Sequence, residues 1–261
     1  MAYVADFARD FPDRIAVVMG NGESTTYKQL NDRSLRIANA LHAVGLEWDS
    51  PVAILLENAI YTYEVMWACQ RSGLRFTPLN THLTPEEIAY IANDCGAKIF
   101  ITSPKYADLA QAVTALTPNV VHRYAVGGPV AGHDDLDAIA ATMPDTAGYP
   151  ELEGQTMFYS SGTTGKPKGV KRGHVAVPVG ELNPLAAFQQ TPLGYSFETV
   201  YLNPAPLYHA APLGWSMAVH RFGGTVVCME KFDAVRVLEL IERYKVTHAQ
   251  FVPTMFVRML K

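Results

Sequence analysis

The 261-residue sequence is short of charge, short of cysteine and free of long apolar runs, and each shortage removes a class of protein. Charged residues make up 18%, against roughly 25% in an average soluble domain. Less surface per residue therefore faces water, as expected of deep layering or of a face that something else covers. The 25 acidic and 21 basic side chains leave a formal net charge of −4 with no basic run, which argues against a nucleic-acid partner, because binding to phosphate backbones needs clustered cations. Cys69, Cys95 and Cys228 are the only cysteines. An odd number, far apart and without a Cys-x-x-Cys or Cys/His cluster, reads as buried reduced thiols of a cytosolic protein, not as a disulfide frame or a zinc site. No apolar stretch approaches the ~18 residues that cross a bilayer, and the opening MAYVADFARDFPDR lacks the apolar core of a secretory signal. These features predict a soluble, cytoplasmic protein. Two nucleotide signatures are absent as well: there is no Gly-x-Gly-x-x-Gly, and no Walker loop, since Lys166 is followed by Pro167 where a Ser or Thr is required.

What is present is a regular alternation of short apolar runs and helical periods. Ile15–Met19 and 24–27 read as strands flanking Asn21-Gly22, a strong hairpin signal. Residues 28–44 read as a helix closed by Gly45, 51–58 as a buried strand, 61–72 as a helix closed by Gly73, and 74–79 as a strand. Thr84, Pro85 and Glu87 make a helix start with a capping residue, a first-turn proline and a returning carboxylate. Strands at 98–102 and 120–126 with a helix between them lead to a Gly-, Asp- and Pro-rich stretch, 127–154, which reads as a connection. Beyond it, 155–159, 199–203, 225–229 and 247–252 read as strands, and 205–219 as a turn and a helix. Asp233 caps a helix with Val235, Leu238 and Ile241 on one face, and 254–260 reads as an apolar helix. This rhythm predicts an α/β fold with mainly parallel sheets flanked by helices, divided into subdomains at 1–154 and 155–261.

The chemistry concentrates in one loop. The apolar strand MFYS runs straight into Ser160-Ser161-Gly162-Thr163-Thr164-Gly165-Lys166-Pro167-Lys168-Gly169. Glycines let backbone N–H groups turn inward, and successive N–H groups make an anion nest. The Ser and Thr hydroxyls can donate to phosphate oxygens or ligate Mg²⁺, and Lys166 and Lys168 supply countercharge. On chemistry alone two readings stand: a phosphate site, or a polar surface loop of no special function.

The string YSSGTTGKPKGV resembles the signature phosphate loop of the adenylate-forming superfamily, which groups acyl-CoA synthetases, peptide-synthetase adenylation domains and luciferases. FPDRIAVV, TTYKQLNDRSLRIANAL, the run from LLENAIYTYEV to GAKIFIT, and NPAPLYHAAPLG resemble its other segments, so the resemblance covers essentially the whole chain. It implies the layered N-terminal α/β domain of these enzymes. It further implies a carboxylic acid, fatty or aromatic, as substrate, ATP and coenzyme A as co-substrates, and Mg²⁺. By it, Ser160, Ser161, Gly162, Thr163, Thr164, Gly165, Lys166, Lys168 and Gly169 would hold the nucleotide, with Thr163 and Thr164 also on the metal. His209 would sit at the carboxylate-to-phosphate junction as the catalytic group, and Tyr208, His209 and Trp215 would line the acyl pocket. His174 would brace the loop, whereas Lys171 and Arg172 read as a solvated strand end.

Members of this family run to roughly twice this length. The Tyr-Gly-x-Thr-Glu segment, the ribose-binding Asp, the hinge and the C-terminal lid domain with its catalytic lysine have no counterpart here. The sequence is therefore expected to be the N-terminal portion of an acyl-CoA synthetase, inactive alone, either self-associating or pairing with a C-terminal part. The alternatives are a non-catalytic nucleotide-binding or assembly module, and an amino-acid adenylation enzyme. The apolar setting of Leu207-Tyr208-His209-Ala210 weighs against the last of these.

Overall fold

The computed structural model describes residues 2–160, 167–171, 173–181 and 184–261. The chain forms two units, one of residues 1–32, 58–63 and 180–261, the other of 33–57 and 64–179.

The first unit is built on a five-stranded sheet in the order β13 (His248–Ala249), β11 (Val200–Asn203), β12 (Thr225–Cys228), β1 (Ile15–Met19), β2 (Ser24–Thr26). Neighbours run parallel except in the β1–β2 hairpin. That hairpin turns at Gly22, whose φ of +99° suits a residue without Cβ. Around the sheet come α1 (Val4–Asp10), α7 (Pro184–Leu193), α8 (Ala210–His220), α9 (Ala234–Tyr244) and α10 (Pro253–Met259). Val18, Leu202, Val227 and Met229 form the face that α9 covers with Val237 and Leu240.

Two expectations change here. Val235 and Leu238 are exposed, so the face they share with Ile241 is not the one that packs. Val237, Leu240, Ile241 and Tyr244 make the longer i, i+3, i+4, i+7 stripe, and it wins the sheet. The strand expected at 247–252 shrinks to two paired residues, His248 opposite Tyr201 and Ala249 opposite Leu202. The cap of α9 is as expected: Arg236 N donates to Asp233 Oδ1 at 2.8 Å. Asp233→Ala should lower stability by about 1 kcal/mol, read as a shift in the urea midpoint at unchanged slope.

The second unit holds a six-stranded, wholly parallel sheet in the order β7 (Asp134–Asp135), β6 (His122–Ala125), β5 (Ile99–Thr102), β3 (Pro51–Leu55), β4 (Arg75–Pro78), β8 (Gln155–Thr156). Strands β4 and β5 are buried along their full length, as strands covered on both faces must be. On one side Ala53, Leu55 and Phe100 pack with Ile88, Ala89, Ala92, Ala110 and Val113 from α4 (Pro85–Asp94) and α5 (Ala107–Thr114). The capping box at Thr84 is formed in both directions, Glu87 N to Thr84 Oγ1 and Thr84 N to Glu87 Oε2. Gly45 and Gly73 follow α2 (Tyr27–Ala43) and α3 (Ile60–Arg71) with φ of +85° and +73°. The stretch 127–154 is not bare chain, for it carries β7 and α6 (Leu136–Ala141).

Cys69 and Cys228 are buried and Cys95 partly so, all three as free thiols. Burial pushes each thiol up, that of Cys228 to about 12. Among the described residues no helix is long and apolar enough to cross a membrane.

Candidate functional site

The run expected as one strand at 155–159 is two. β8 adds to β4, Met157 N then donates to Phe76 O at 2.9 Å, and β9 (Phe158–Ser160) leaves the sheet to pair with β10 (Lys168–Val170). The antiparallel register sets Ser160 opposite Lys168, Tyr159 opposite Gly169 and Phe158 opposite Val170. The hairpin thus brings together the two ends of the Gly-, Ser-, Thr- and Lys-rich segment. Ser160 and Lys168 face solvent at its mouth, while Ser161, Gly162, Thr163, Thr164, Gly165, Lys166 and Arg172 lie outside the described residues. A Cβ at Gly169 would come within 2.8 Å of Tyr159 Cζ and nearer still to Met157 Cε, the ends of two side chains.

Both flanks of the segment are pinned. On the near side Tyr159 OH donates to Asp94 Oδ2 at 2.5 Å, and burial together with that bond holds its phenol protonated, above the ordinary tyrosine range. On the far side the chain runs back along 151–155: Gln155 Nε2 donates to Gly173 O, Glu153 N to Val177 O and Val179 N to Glu151 O. His174 lies within this return. Its Nδ1 is 2.5 Å from Asp49 Oδ1 and its Nε2 2.7 Å from Glu153 O, and its ring sits 4.7 Å from that of Trp48. Asp49 also binds Arg75. Partial burial works against the Asp49 charge, but the bonds from Arg75 and His174 outweigh it and hold the carboxyl below its usual value.

The aromatic–histidine motif belongs to the first unit. Tyr208 and His209 close the turn that leads into α8, their ring centroids 4.6 Å apart. His209 occupies the cap position of α8 without a side-chain capping bond. It is exposed, yet loss of water on its packed side lowers its pKa, which favours the neutral ring at neutral pH. Trp215 lies about a turn and a half further along α8, half-buried, its ring 6.0 Å from that of Tyr195. Sequence reading passed over Asn58, which binds three backbone groups of this region. An isolated Asn after a strand looks like any turn residue. Among the described residues no group of three or more His, Cys, Asp or Glu side chains is placed to hold a metal ion.

The family model described as "AMP-binding enzyme" matches residues 4–261. The chain belongs to the AMP-binding enzyme family. It is 33% identical over 250 residues to a feruloyl-CoA synthase of Amycolatopsis sp, covering 95% of this chain and 48% of that one. It is 31% identical over 247 residues to a fatty acid–[acyl-carrier-protein] ligase of Streptomyces coeruleorubidus, covering 93% and 46%. Among solved structures, the O-succinylbenzoate coenzyme A synthetase of Bacillus subtilis in complex with ATP and magnesium ion superposes with a TM-score of 0.78 at 25% identity, over 99% of this chain and 65% of that one. The chain spans about half the length of the curated relatives it matches.

Proposed function

We propose that this chain is the N-terminal portion of an ATP-dependent acid–thiol ligase of the cytoplasm. The enzyme would join a carboxylic acid to ATP, release pyrophosphate, and pass the acyl group to coenzyme A. The observation that carries this reading is the hairpin of β9 and β10, which sets Ser160 against Lys168 in a chain matched from end to end by the AMP-binding family. Attack on the α-phosphate loads negative charge onto phosphate oxygens, and prearranged N–H, hydroxyl and ammonium donors are what stabilise it. In this reading Ser160, Ser161, Gly162, Thr163, Thr164, Gly165, Lys166, Lys168 and Gly169 hold the nucleotide. The hydroxyls of Thr163 and Thr164 are hard oxygen donors of the type Mg²⁺ takes, and the ion would neutralise phosphate charge. His209, neutral and exposed, acts beside the carboxylate, with Tyr208 and Trp215 on the acyl chain. The likeness to feruloyl-CoA and fatty-acid ligases favours an aromatic or fatty acid. The subdomains at 1–154 and 155–261 would be parts of one larger domain that a lid domain completes.

Since the ribose carboxylate and catalytic lysine have no counterpart in these residues, the 261-residue chain should bind nucleotide weakly and not complete adenylation. The check is pyrophosphate release from ATP, decanoate or ferulate, and coenzyme A. No turnover is expected from the chain by itself, and sustained release would overturn this part of the reading. A second reading, a nucleotide-binding module that works by pairing with another chain, draws on the exposed Val252, Phe256, Val257 and Leu260 around α10. Co-purification of a partner that restores pyrophosphate release would favour it.

A further inference from the structure

The turn that carries Tyr208 and His209 is unusual in how its backbone is held. Asn203-Pro204-Ala205-Pro206-Leu207 contains two prolines, which bring no N–H and cannot enter a hydrogen-bonded ladder. The amides of Ala205 and Leu207 go to side chains: Leu207 N donates to Asn58 Oδ1 at 2.8 Å, and Ala205 N points to Asn203 Oδ1 at 3.4 Å. Asn58 then uses both hydrogens of its amide, donating to Ala205 O at 2.9 Å and to Met229 O at 2.8 Å. Its residue is 8% exposed. One acceptor and two donors are all used within the first unit, and they tie the turn to the chain leaving β12. Asn203, fully buried, adds a second bond to Ala205 O at 3.0 Å. Just past this clamp the turn closes, with His209 N donating to Pro206 O at 3.2 Å and Leu213 N to His209 O as α8 begins.

We infer that Asn58 is a positioning residue: by clamping Ala205 and Leu207 it sets where the Tyr208–His209 pair stands against the carboxylate substrate. The substrate half of this statement rests on the ligase reading; the clamp does not. No other side chain of this size offers one acceptor and two donors in a fixed plane. Aspartate, nearly the same shape, keeps the bond from Leu207 N but turns a charged oxygen toward two carbonyl oxygens. Its expected effect is therefore loss of the clamp with little change in volume.

The test compares the parent chain with Asn58→Asp and Asn203→Ala by ¹H–¹³C spectra of the aromatic and histidine rings, with and without decanoate as probe. The buried ring of His220, edge-on to Tyr27 at 6.1 Å, reports whether the unit is folded. With the His220 signals unchanged, the Tyr208 and His209 ring shifts should move toward unstructured values in Asn58→Asp, and the dissociation constant for decanoate should rise about tenfold, since small misplacements of a reacting group are costly. Asn203→Ala, which keeps all three Asn58 bonds, should give a smaller shift in the same direction. Native Tyr208 and His209 shifts in a folded Asn58→Asp chain would overturn the inference. If Asn58→Asp does not fold, native Tyr208 and His209 shifts in a folded Asn58→Ser chain, which lacks the amide that donates to Ala205 O and Met229 O, would overturn it instead. Decanoate that leaves the parent's His209 signal untouched would contradict the ligase reading of His209, while the ring shifts of the variants still decide the clamp.

Discussion

Replacing Gly154 by alanine should destabilise the chain by about 3 kcal/mol, the upper part of the range for forcing a methyl into packed structure. Gly154 sits where the chain enters β8. Its N–H donates to Gln70 O at 2.6 Å and its carbonyl accepts from Gln70 Nε2 at 2.9 Å. A Cβ at this position would lie 2.8 Å from both Gln70 Cα and Leu74 O, with Cys69 O nearer still. All three are backbone atoms at the end of α3 and the start of β4, so no rotamer change relieves the clash. The strand itself must move. Because Met157 N on Phe76 O and the β9–β10 hairpin follow directly, the displacement should carry into that hairpin. A urea titration measures the loss; a midpoint within error of the parent would show that β8 is free to shift. Gly169→Ala should cost less, because the atoms it meets are the ends of the Met157 and Tyr159 side chains.

Exchanging Glu64 for glutamine should stabilise the chain at pH 8 and leave it nearly unchanged at pH 5. Glu64 lies in the second unit with 12% of its side chain exposed, 3.5 Å from Arg33 Nε. Arg33 also binds Asp137, which accepts in addition from Gly127 N. Burial pushes the Glu64 carboxyl up to about 7 from 4.5; Arg33 pulls the other way and Asp137 adds to the rise. A carboxyl whose pKa is higher folded than unfolded retains its proton longer in the native state. Stability therefore carries no penalty below the unfolded value and declines as pH rises from about 4.5 through about 7. At pH 8 the full cost is on the order of 3 kcal/mol. Glutamine keeps the shape and an oxygen for Arg33 without the charge. Denaturation at pH 5, 6, 7 and 8 should show the variant's advantage growing over that window. An advantage independent of pH would mean that Glu64 is ionised in the folded chain throughout.

Local signals were well read from sequence where the physics is local. The Thr84–Glu87 capping box, the Asn21-Gly22 turn, the Asp233 cap and the glycines after α2 and α3 all depend on neighbours within a few positions, and all form. What escaped depends on distant partners. The face of α9 was ambiguous because two apolar stripes share Ile241, and only the sheet decides between them. The break at Met157 is invisible in an apolar run, since it reflects the pairing of β9 with β10 several positions further on. Asn58 gains its meaning from Ala205, Leu207 and Met229, more than a hundred positions away. The Gly-, Ser-, Thr- and Lys-rich segment was legible as a string, and the structure adds the pinning of its two flanks at Asp94 and at Asp49.

Whether this hairpin presents a nucleotide site is decided by calorimetric titration of the chain with ATP and Mg²⁺ beside a Lys168→Ala variant. Saturable binding by the parent is expected with a dissociation constant on the order of 1 mM, weakened roughly tenfold or more in the variant, as when a charged donor to phosphate is lost. Equal heats for the two proteins, or no saturable binding by the parent, would contradict such a site.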